Sequence, residues 1–252
     1  LLNTDRSTII EDWDGNSMAD RAFDDPEIYA AYLKHLQYLI DQFEPTYLIA
    51  VMEANDLLVQ APEKWEGYQS LIQKLRPELK SLYPDLKISE SITLHNFYEP
   101  EVPDQAAFVE SISTYMREMD FAAISFYPFF KGLSKEKQFQ KAFDFLHAQT
   151  NLPIAFVETN HLVETLEVEA FELTIESDVC EQQAYLEQLM LNAFDHPYEF
   201  IIWWAHRDFD ALWETFPEEV KDVGKLWRDT GLLDESGEKR PAFEAWEKVL
   251  AK

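Results

Sequence analysis

The chain has 252 residues, of which 48 are Asp or Glu and 21 are Lys or Arg, so its formal net charge at pH 7 is −27. Such an acidic surface repels phosphate groups, which argues against nucleic-acid partners and against binding to anionic membranes. Hydrophobic residues make up 46% of the sequence, enough for a large core. No apolar run reaches the roughly 18 residues of a membrane helix, so membrane insertion is not expected.

The composition also argues against several kinds of cofactor site. Only 6 residues are Gly, and no Gly-rich phosphate-binding loop occurs, so a nucleotide cofactor is not expected. The single cysteine, Cys180, excludes an internal disulfide framework and a cysteine-based zinc site. We therefore expect no cofactor and no resident metal. The sequence does not indicate an oligomeric state.

Helices and short apolar strands alternate along the chain. Helical periodicity with N-terminal capping residues predicts helices over 26–43, 65–79, 104–118, 134–149, 178–194, 217–229 and 241–250. A nearly continuous apolar run predicts a strand over 46–53, and further strands are predicted over 86–95, after a turn at 83–85, and over 121–127, 153–158 and 198–204. Residues 7–10 are interpreted as the remnant of a sixth strand, and the acidic segment 164–178 is expected to be a solvated loop.

Five buried strands that alternate with helices indicate an α/β protein with a parallel sheet. No nucleotide-binding turn follows any strand, so a (β/α)8 TIM barrel is favoured over a Rossmann fold. No linker or internal repeat interrupts the pattern, and residues 1–252 are expected to form a single barrel domain. Because five strands cannot close an eight-stranded barrel, the barrel is expected to be incomplete.

Polar and aromatic side chains follow the predicted strands where a TIM barrel has its active site. The predicted catalytic residues are Glu53 and Glu158, and the predicted substrate-binding residues are Asn55, His95, Tyr127, Asn160, Trp203, Trp204 and His206. Two carboxylates at a barrel mouth suit glycoside hydrolysis, in which one is the general acid and the other attacks the anomeric carbon or activates water. A neutral sugar needs no basic site, so a neutral carbohydrate substrate is compatible with the acidic surface.

Alternative readings of these residues stay open. A single strand-end Glu is commonly a solvated loop carboxylate. Trp203 and Trp204 point to opposite faces, so one of them is expected to pack in the core. The four tryptophans on helices, Trp227 among them, are interpreted as packing residues. His161, His206 and Glu158 could form the site of a metal-dependent hydrolase, but their spacing is not typical of one.

At these residues the sequence resembles the retaining glycoside hydrolases of clan A, which are (β/α)8 enzymes with catalytic glutamates at the ends of strands four and seven. Within the clan it is most similar to glycoside hydrolase family 53, the endo-β-1,4-galactanases. The segments that carry the resemblance are Val51-Met52-Glu53, Ser125-Phe126-Tyr127-Pro128-Phe129-Phe130, Val157-Glu158-Thr159, Ile202-Trp203-Trp204 and the tail 227–246.

The resemblance implies a role for each matching residue. Glu53 is implied to be the acid/base and Glu158 the nucleophile, with Tyr127 hydrogen-bonded to the nucleophile. His95 and one of the two strand-eight tryptophans are implied to line the subsite of the sugar being cleaved. The chain would then hold about strands four to eight, with strands one to three before Leu1. A secreted or periplasmic location is implied as well.

One position departs from the family pattern, because Met52 stands where the family has an Asn before the acid/base. That Asn donates a hydrogen bond to the sugar 2-hydroxyl, which strengthens in the transition state, and Met cannot donate. The expected function is retaining cleavage of a β-linked neutral polysaccharide or oligosaccharide. The alternative is a catalytically weak or inactive barrel that binds carbohydrate or a protein partner.

Overall fold

The computed structural model describes residues 2–3, 7–12, 14–18 and 21–251. Its helices are α1 (Pro26–Phe43), α2 (Asn55–Gln60), α3 (Trp65–Leu82), α4 (Leu94–Phe97), α5 (Gln105–Met116), α6 (Glu136–Gln149), α7 (Val179–Asp195), α8 (Asp210–Trp213), α9 (Glu218–Arg228) and α10 (Pro241–Leu250). Its strands are β1 (Tyr47–Val51), β2 (Lys87–Thr93), β3 (Ala122–Phe126), β4 (Ile154–Thr159), β5 (Leu166–Val168), β6 (Leu173–Ile175) and β7 (Tyr198–Trp203). In this part of the chain, none of the helices is both long enough and apolar enough to cross a bilayer.

The predicted helices and strands are present, with ends that shift by a few residues. Capping explains why α1 begins where predicted: the Asp25 carboxylate accepts the Glu27 N–H, and Pro26 occupies the first turn. Likewise, the Asp178 carboxylate accepts the first free N–H groups of α7, from Cys180 and Glu181. Local capping chemistry therefore sets these two helix starts.

Two predicted segments differ from the structure. The segment 164–178, predicted as a solvated loop, contains the antiparallel hairpin of β5 and β6. Its strand β5 alternates, with Leu166 and Val168 buried on either side of the exposed Glu167. Residues 7–10, predicted as a strand remnant, contain one isolated bridge, between Ile9 and Leu2. Ile9 alone of these four residues pairs, and its partner lies outside the five-stranded sheet, so the segment adds no strand to that sheet.

Five of the strands form one sheet in the order β1-β2-β3-β4-β7. Pairing is parallel between β1 and β2, where Tyr47 faces Lys87, and between β4 and β7, where Ile154 faces Tyr198. Parallel neighbours joined through helices are successive (β/α) units, so the carboxyl ends of each such pair lie side by side. Among the described residues, the predicted site residues of each unit follow these strand ends.

The chain forms two compact units, Leu1–Ala123 and Ile124–Lys252, each with its own core. In the first unit, helices α1 and α3 cover one face of β1 and β2. The buried residues there are Leu36, Ile40, Leu48, Ala50, Leu79, Leu86 and Ile88. The second unit has a core of aromatic rings in edge-to-face contact. These rings belong to Phe126, Phe139, Phe143, Phe156 and Tyr185. The single domain over 1–252 stays a prediction.

A buried carboxylate anchors β2 in the first unit. Glu90 is fully buried, and it accepts hydrogen bonds from the Arg76 guanidinium of α3 at 2.5 Å and from the Tyr115 hydroxyl of α5 at 3.2 Å. Burial raises the pKa of Glu90 above its ordinary value, although Arg76 opposes that shift. The two hydrogen bonds of Glu90 connect α3 and α5 to β2. The residue after Glu90 is Ser91, which bonds the turn that carries Glu53.

Candidate active site

The turn after β1 presents Glu53. Its φ of 54° lies in the left-handed region, which is uncommon for a residue with a Cβ. Strand β2 fixes this turn, because the Glu53 N–H donates to Ser91 Oγ at 2.7 Å and the Ala54 N–H donates to the Ser91 carbonyl at 2.8 Å. Half-buried Glu53 lines a cavity of about 440 Å³. Most of the cavity lining is apolar, including Tyr32, Val51 and Leu57.

Met52, which stands where the resembled family has an Asn, lies at the same turn. Its side chain is 41% exposed, and its sulfur lies 3.9 Å from Ser91 Oγ. A thioether is a weak acceptor and no donor. This position therefore presents an apolar surface and no hydrogen-bond donor.

Asn55 is fully buried, and both ends of its amide bond the backbone of Thr93, the last residue of β2. Its Nδ2 donates to the Thr93 carbonyl at 3.1 Å, and its Oδ1 accepts the Thr93 N–H at 2.7 Å. The amide therefore braces the ends of β1 and β2. His95 was predicted to lie in the strand, but the strand ends at Thr93 and half-buried His95 lies in the short helix α4.

In the second unit, Tyr127 and Glu158 are in direct contact. Tyr127 follows β3 and is 2% exposed, and its hydroxyl donates to Glu158 Oε1 near the end of β4. This is the contact that the family resemblance implied. The Tyr127 ring is held by neighbouring rings, with its centroid 4.6 Å from that of Trp227 and 5.9 Å from that of Phe129. The phenol hydroxyl is thereby fixed toward one oxygen of the carboxylate.

Trp227 lies in α9, and its interpretation as a packing residue agrees with the structure. Its ring is tilted by 55° against the ring of the tyrosine that bonds Glu158. An apolar cluster supports the tyrosine ring from the β5–β6 hairpin and from α9. The cluster comprises Tyr127, Phe129, Leu162, Leu166, Val168 and Leu226, with Leu173, Ile175, Val223 and Trp227 packed against it. Sequence reasoning missed that Trp227 packs beside Glu158, although this residue stands in the tail segment that carries the family resemblance.

The two tryptophans at the end of β7 point in opposite directions, as strand alternation predicts. Trp203 is 8% exposed, and its indole N–H donates to the Thr230 carbonyl at 3.0 Å. Trp204 is 46% exposed, and its backbone N–H donates to the Thr159 carbonyl at 2.9 Å. Because it is the more exposed of the two, Trp204 is the member of the pair with a ring face available to a ligand. The Trp204–Ala205 peptide bond is cis.

The remaining predicted residues of this unit differ in accessibility. Asn160 is fully buried, and its Nδ2 donates to the Trp204 carbonyl. His206 follows β7 with an exposed side chain. His161 is 1% exposed, and each of its ring nitrogens lies within 3.3 Å of a backbone carbonyl, of Leu162 or Leu133. Burial lowers the pKa of His161. These contacts engage its ring in structural bonds, so they do not support the metal alternative built on His161, His206 and Glu158.

Another acidic group, Asp208, Asp210 and Asp229, has carboxylate oxygens within 4.8 Å of one another. Arg240 bonds Asp208 at 2.5 Å, and Arg228 bonds Asp229 at 2.6 Å and lies 3.6 Å from Asp210. Burial raises the pKa of Asp229 to about 6. Because each of these carboxylates lies within ion-pair distance of Arg228 or Arg240, the group is best described as an ion-pair network that holds the segment after β7.

No model of a known protein family and no curated protein matches this sequence. Solved structures are similar to it in fold. Xylanase 10B from Thermotoga maritima matches with a TM-score of 0.59 and 15% identity, over 92% of this chain and 68% of the xylanase. Xylanase 10B from Thermotoga petrophila RKU-1, in complex with xylobiose, matches with a TM-score of 0.58 and 16% identity, over 87% of this chain and 64% of that one. A β-glucuronidase from an uncultured Clostridium species matches with a TM-score of 0.59 and 12% identity, over 90% of this chain.

The chain spans 36% of the length of that glucuronidase and about two thirds of the length of the xylanases. At identities of 12% to 16%, the likeness shows the fold alone. These proteins are glycoside hydrolases built on (β/α)8 barrels, so the predicted fold class is confirmed. The described residues form a five-stranded part of such a barrel.

Proposed function

We propose that the chain carries the catalytic residues of a retaining glycoside hydrolase that cleaves β-linked neutral polysaccharides or oligosaccharides. The observation that carries the proposal is the Glu158 carboxylate, placed near the carboxyl end of β4 and bonded by the Tyr127 hydroxyl. Catalytic groups of TIM-barrel enzymes lie at this end of the strands. The glycosidase fold of the solved neighbours supports the same reading.

The proposed reaction has two displacement steps. Glu158 attacks the anomeric carbon and forms a glycosyl ester, while the bond to the leaving oxygen breaks and Glu53 gives that oxygen a proton. Glu53 then takes a proton from water, which attacks the anomeric carbon and releases the Glu158 carboxylate. Two inversions give overall retention. The mechanism expects the two carboxyl groups to lie ~5–5.5 Å apart when substrate is bound.

The other residues receive roles that follow from their exposure. The Trp204 ring would stack against the apolar face of a sugar, and half-buried His95 would bond a hydroxyl. Exposed His206 would contact a sugar unit farther from the reacting centre. Asn55 and Asn160 are fully buried, so they would act on the site through the backbone that they hold.

The contacts of one arginine near Trp227 support a neutral sugar over a uronate. One solved neighbour, a β-glucuronidase of Bifidobacterium dentium, is complexed with coumarin-3-O-glucuronide, whose sugar carries a carboxylate. Recognition of such a sugar needs an available cation. Arg228, next to Trp227, is already bonded to Asp229 and to Glu164. Among neutral substrates, the resemblance to family 53 favours a β-1,4-galactan and a secreted or periplasmic enzyme.

Replacing the proposed nucleophile tests the function. We expect E158A to lose turnover of 2,4-dinitrophenyl β-glycosides and of β-1,4-galactan by several orders of magnitude, because no glycosyl ester can form. Added azide should restore turnover of the aryl glycoside and yield the α-glycosyl azide. The matched control is E167A, which removes an exposed carboxylate of the same unit. Undiminished turnover by E158A would remove Glu158 from this role.

The acid/base role of Glu53 is tested in the same assay. A dinitrophenolate departs without protonation, so E53A should lose much less activity on the first step with this substrate than on galactan. Azide should then give the β-glycosyl azide, the product of two inversions. The control is E63A, an exposed glutamate of the first unit. Equal losses on both substrates would contradict the acid/base assignment.

One observation favours a second function, a barrel that binds carbohydrate with little or no turnover. Exposed Met52 cannot donate the hydrogen bond that its family counterpart gives to the reacting sugar. Titration calorimetry with galactan, xylan and glucan oligosaccharides separates the two functions. Binding without hydrolysis by the wild-type chain would favour this second function.

A further inference from the structure

The segment that carries Glu158 also holds Trp204 at both polar groups of its backbone. The Trp204 N–H donates to the carbonyl of Thr159, the residue after Glu158. The Trp204 carbonyl accepts from Asn160 Nδ2, and Thr230 Oγ1 lies 3.3 Å from the same carbonyl. The exposed indole therefore projects from a backbone whose position is set by the two residues that follow the carboxylate.

Asn160 is suited to this task and not to direct contact with a ligand. Its side chain is fully buried, so a sugar hydroxyl cannot reach it. The bond to Trp204 needs a donor at Nδ2, since a carbonyl oxygen can only accept. A carboxylate of the same shape would face the Trp204 carbonyl with two acceptors and no proton. The contact with the Trp204 carbonyl therefore forms only when the side chain at position 160 has a donor group at the place of Nδ2.

We propose that Asn160 is a positioning residue, which holds the Trp204 indole in register with the Glu158 carboxylate through its hydrogen bond to the Trp204 carbonyl. The catalytic consequence rests on the proposed function, while the positioning itself is a structural property. Loss of the bond removes one of the contacts that hold the Trp204 backbone, so its ring shifts from the sugar-binding position. Binding of the sugar ring then weakens while the chemical groups stay in place.

The decisive variant is N160D, which keeps the shape of the side chain and replaces the donor by an acceptor. The first readout is the indole N–H resonance of Trp204 in a proton–nitrogen NMR spectrum, identified as the resonance that is lost in W204F. We expect N160D to shift or broaden this resonance at pH 8. At pH 5, partial protonation gives the carboxyl a donor O–H, and the resonance should move back toward its wild-type position.

The matched control is N151D, the same change of side chain and charge at an exposed asparagine of the same unit. It should leave the Trp204 resonance unmoved at both pH values. If circular dichroism shows that N160D does not fold, N160A removes the donor without burying a charge and should shift the same resonance, without the recovery at pH 5. An unmoved Trp204 resonance in the folded variant would overturn the proposal.

The kinetic readout uses the 2,4-dinitrophenyl β-glycoside that the wild-type chain hydrolyses fastest. N160D should raise KM by about five- to tenfold, as expected for a lost stacking contact, with a smaller change in kcat. An unchanged KM in a variant whose Trp204 resonance has moved would overturn the link to substrate binding. If the wild-type chain hydrolyses none of these substrates, the proposed function fails, and the NMR comparison still decides the positioning role.

Discussion

At the scale of single residues, the proposed chemistry depends most on the bond between Tyr127 and Glu158. A neutral hydroxyl that donates to a carboxylate forms a charge-assisted hydrogen bond, which is stronger than a bond between neutral groups. The rings of Phe129 and Trp227 hold the tyrosine, so the donor is already oriented before substrate binds. A nucleophile held in this way loses little rotational freedom when it reaches the anomeric carbon.

Removing that hydroxyl should slow the reaction. We expect Y127F to lower kcat/KM on an aryl β-glycoside by about ten- to a hundredfold, because a hydrogen bond to a charged group contributes about 1.5–3 kcal/mol. The aromatic packing of the ring stays intact, so the variant should fold, with its free energy of unfolding lowered by no more than the loss of this one bond. The control is Y38F, at a tyrosine that is 63% exposed. A kcat/KM equal to wild type would show that the hydroxyl does not support the nucleophile.

The sequence predicted which residues lie at the strand ends, but not which way their side chains face. Glu158 and Tyr127 were placed together because neighbouring parallel strands end at one edge. Asn55 and Asn160 were predicted to bind substrate on the same argument, yet both are buried against backbone groups. A side-chain amide can hydrogen-bond the backbone at a strand end as readily as it can hydrogen-bond a sugar hydroxyl. The residue type alone does not distinguish these two uses.

At the scale of secondary-structure elements, the β5–β6 hairpin supports the candidate site from the side. It packs on α9, where the Ala170 N–H donates to the Asp222 carboxylate at 2.8 Å. Val168 is fully buried in the apolar cluster that also contains Tyr127 and Leu226. The hairpin and the helix thus form a small core whose inner members contact the aromatic rings beside Glu158.

Shortening Val168 should destabilise this core. We expect V168A to lower the free energy of unfolding by about 2 kcal/mol, the combined effect of lost burial and a residual cavity. The measurement is urea unfolding followed by circular dichroism. The control is V220A, at a valine of α9 that is 51% exposed and should change stability by less than about 0.5 kcal/mol. Equal effects at the two positions would show that the hairpin does not pack as described.

The elements that the sequence predicted correctly share a strong local signal. Strands β1, β3 and β4 are short, mainly apolar segments, and the long helices have clear apolar periodicity or capping residues. The hairpin was missed because its two strands have only three residues each, within a segment rich in glutamate. Its burial depends on contact with α9, which lies far away in the sequence. The structure of that segment therefore depends on a tertiary contact, which a local sequence pattern does not reveal.

At the scale of the whole molecule, the charge of −27 is the property that sets this chain apart from a typical neutral domain. Many of its carboxylates lie on the surface without a basic partner in the sequence, since acidic residues outnumber basic ones 48 to 21. The most buried basic residues already form ion pairs, Arg76 with Glu90 and Arg240 with Asp208. The excess negative charge is therefore left to repel itself, which destabilises a compact state.

Screening this repulsion should stabilise the chain. Raising the NaCl concentration from about 0.01 M to about 0.1 M shortens the Debye length from about 30 Å to about 10 Å. Distant like charges are then screened, whereas the buried Arg240–Asp208 pair, with its contact of 2.5 Å, is screened much less. We expect the urea midpoint at pH 7 to rise over this range, and to rise equally in sodium thiocyanate, because screening depends on ionic strength and not on the kind of anion. A midpoint that falls with salt would mean that exposed ion pairs contribute more to stability than the excess charge removes.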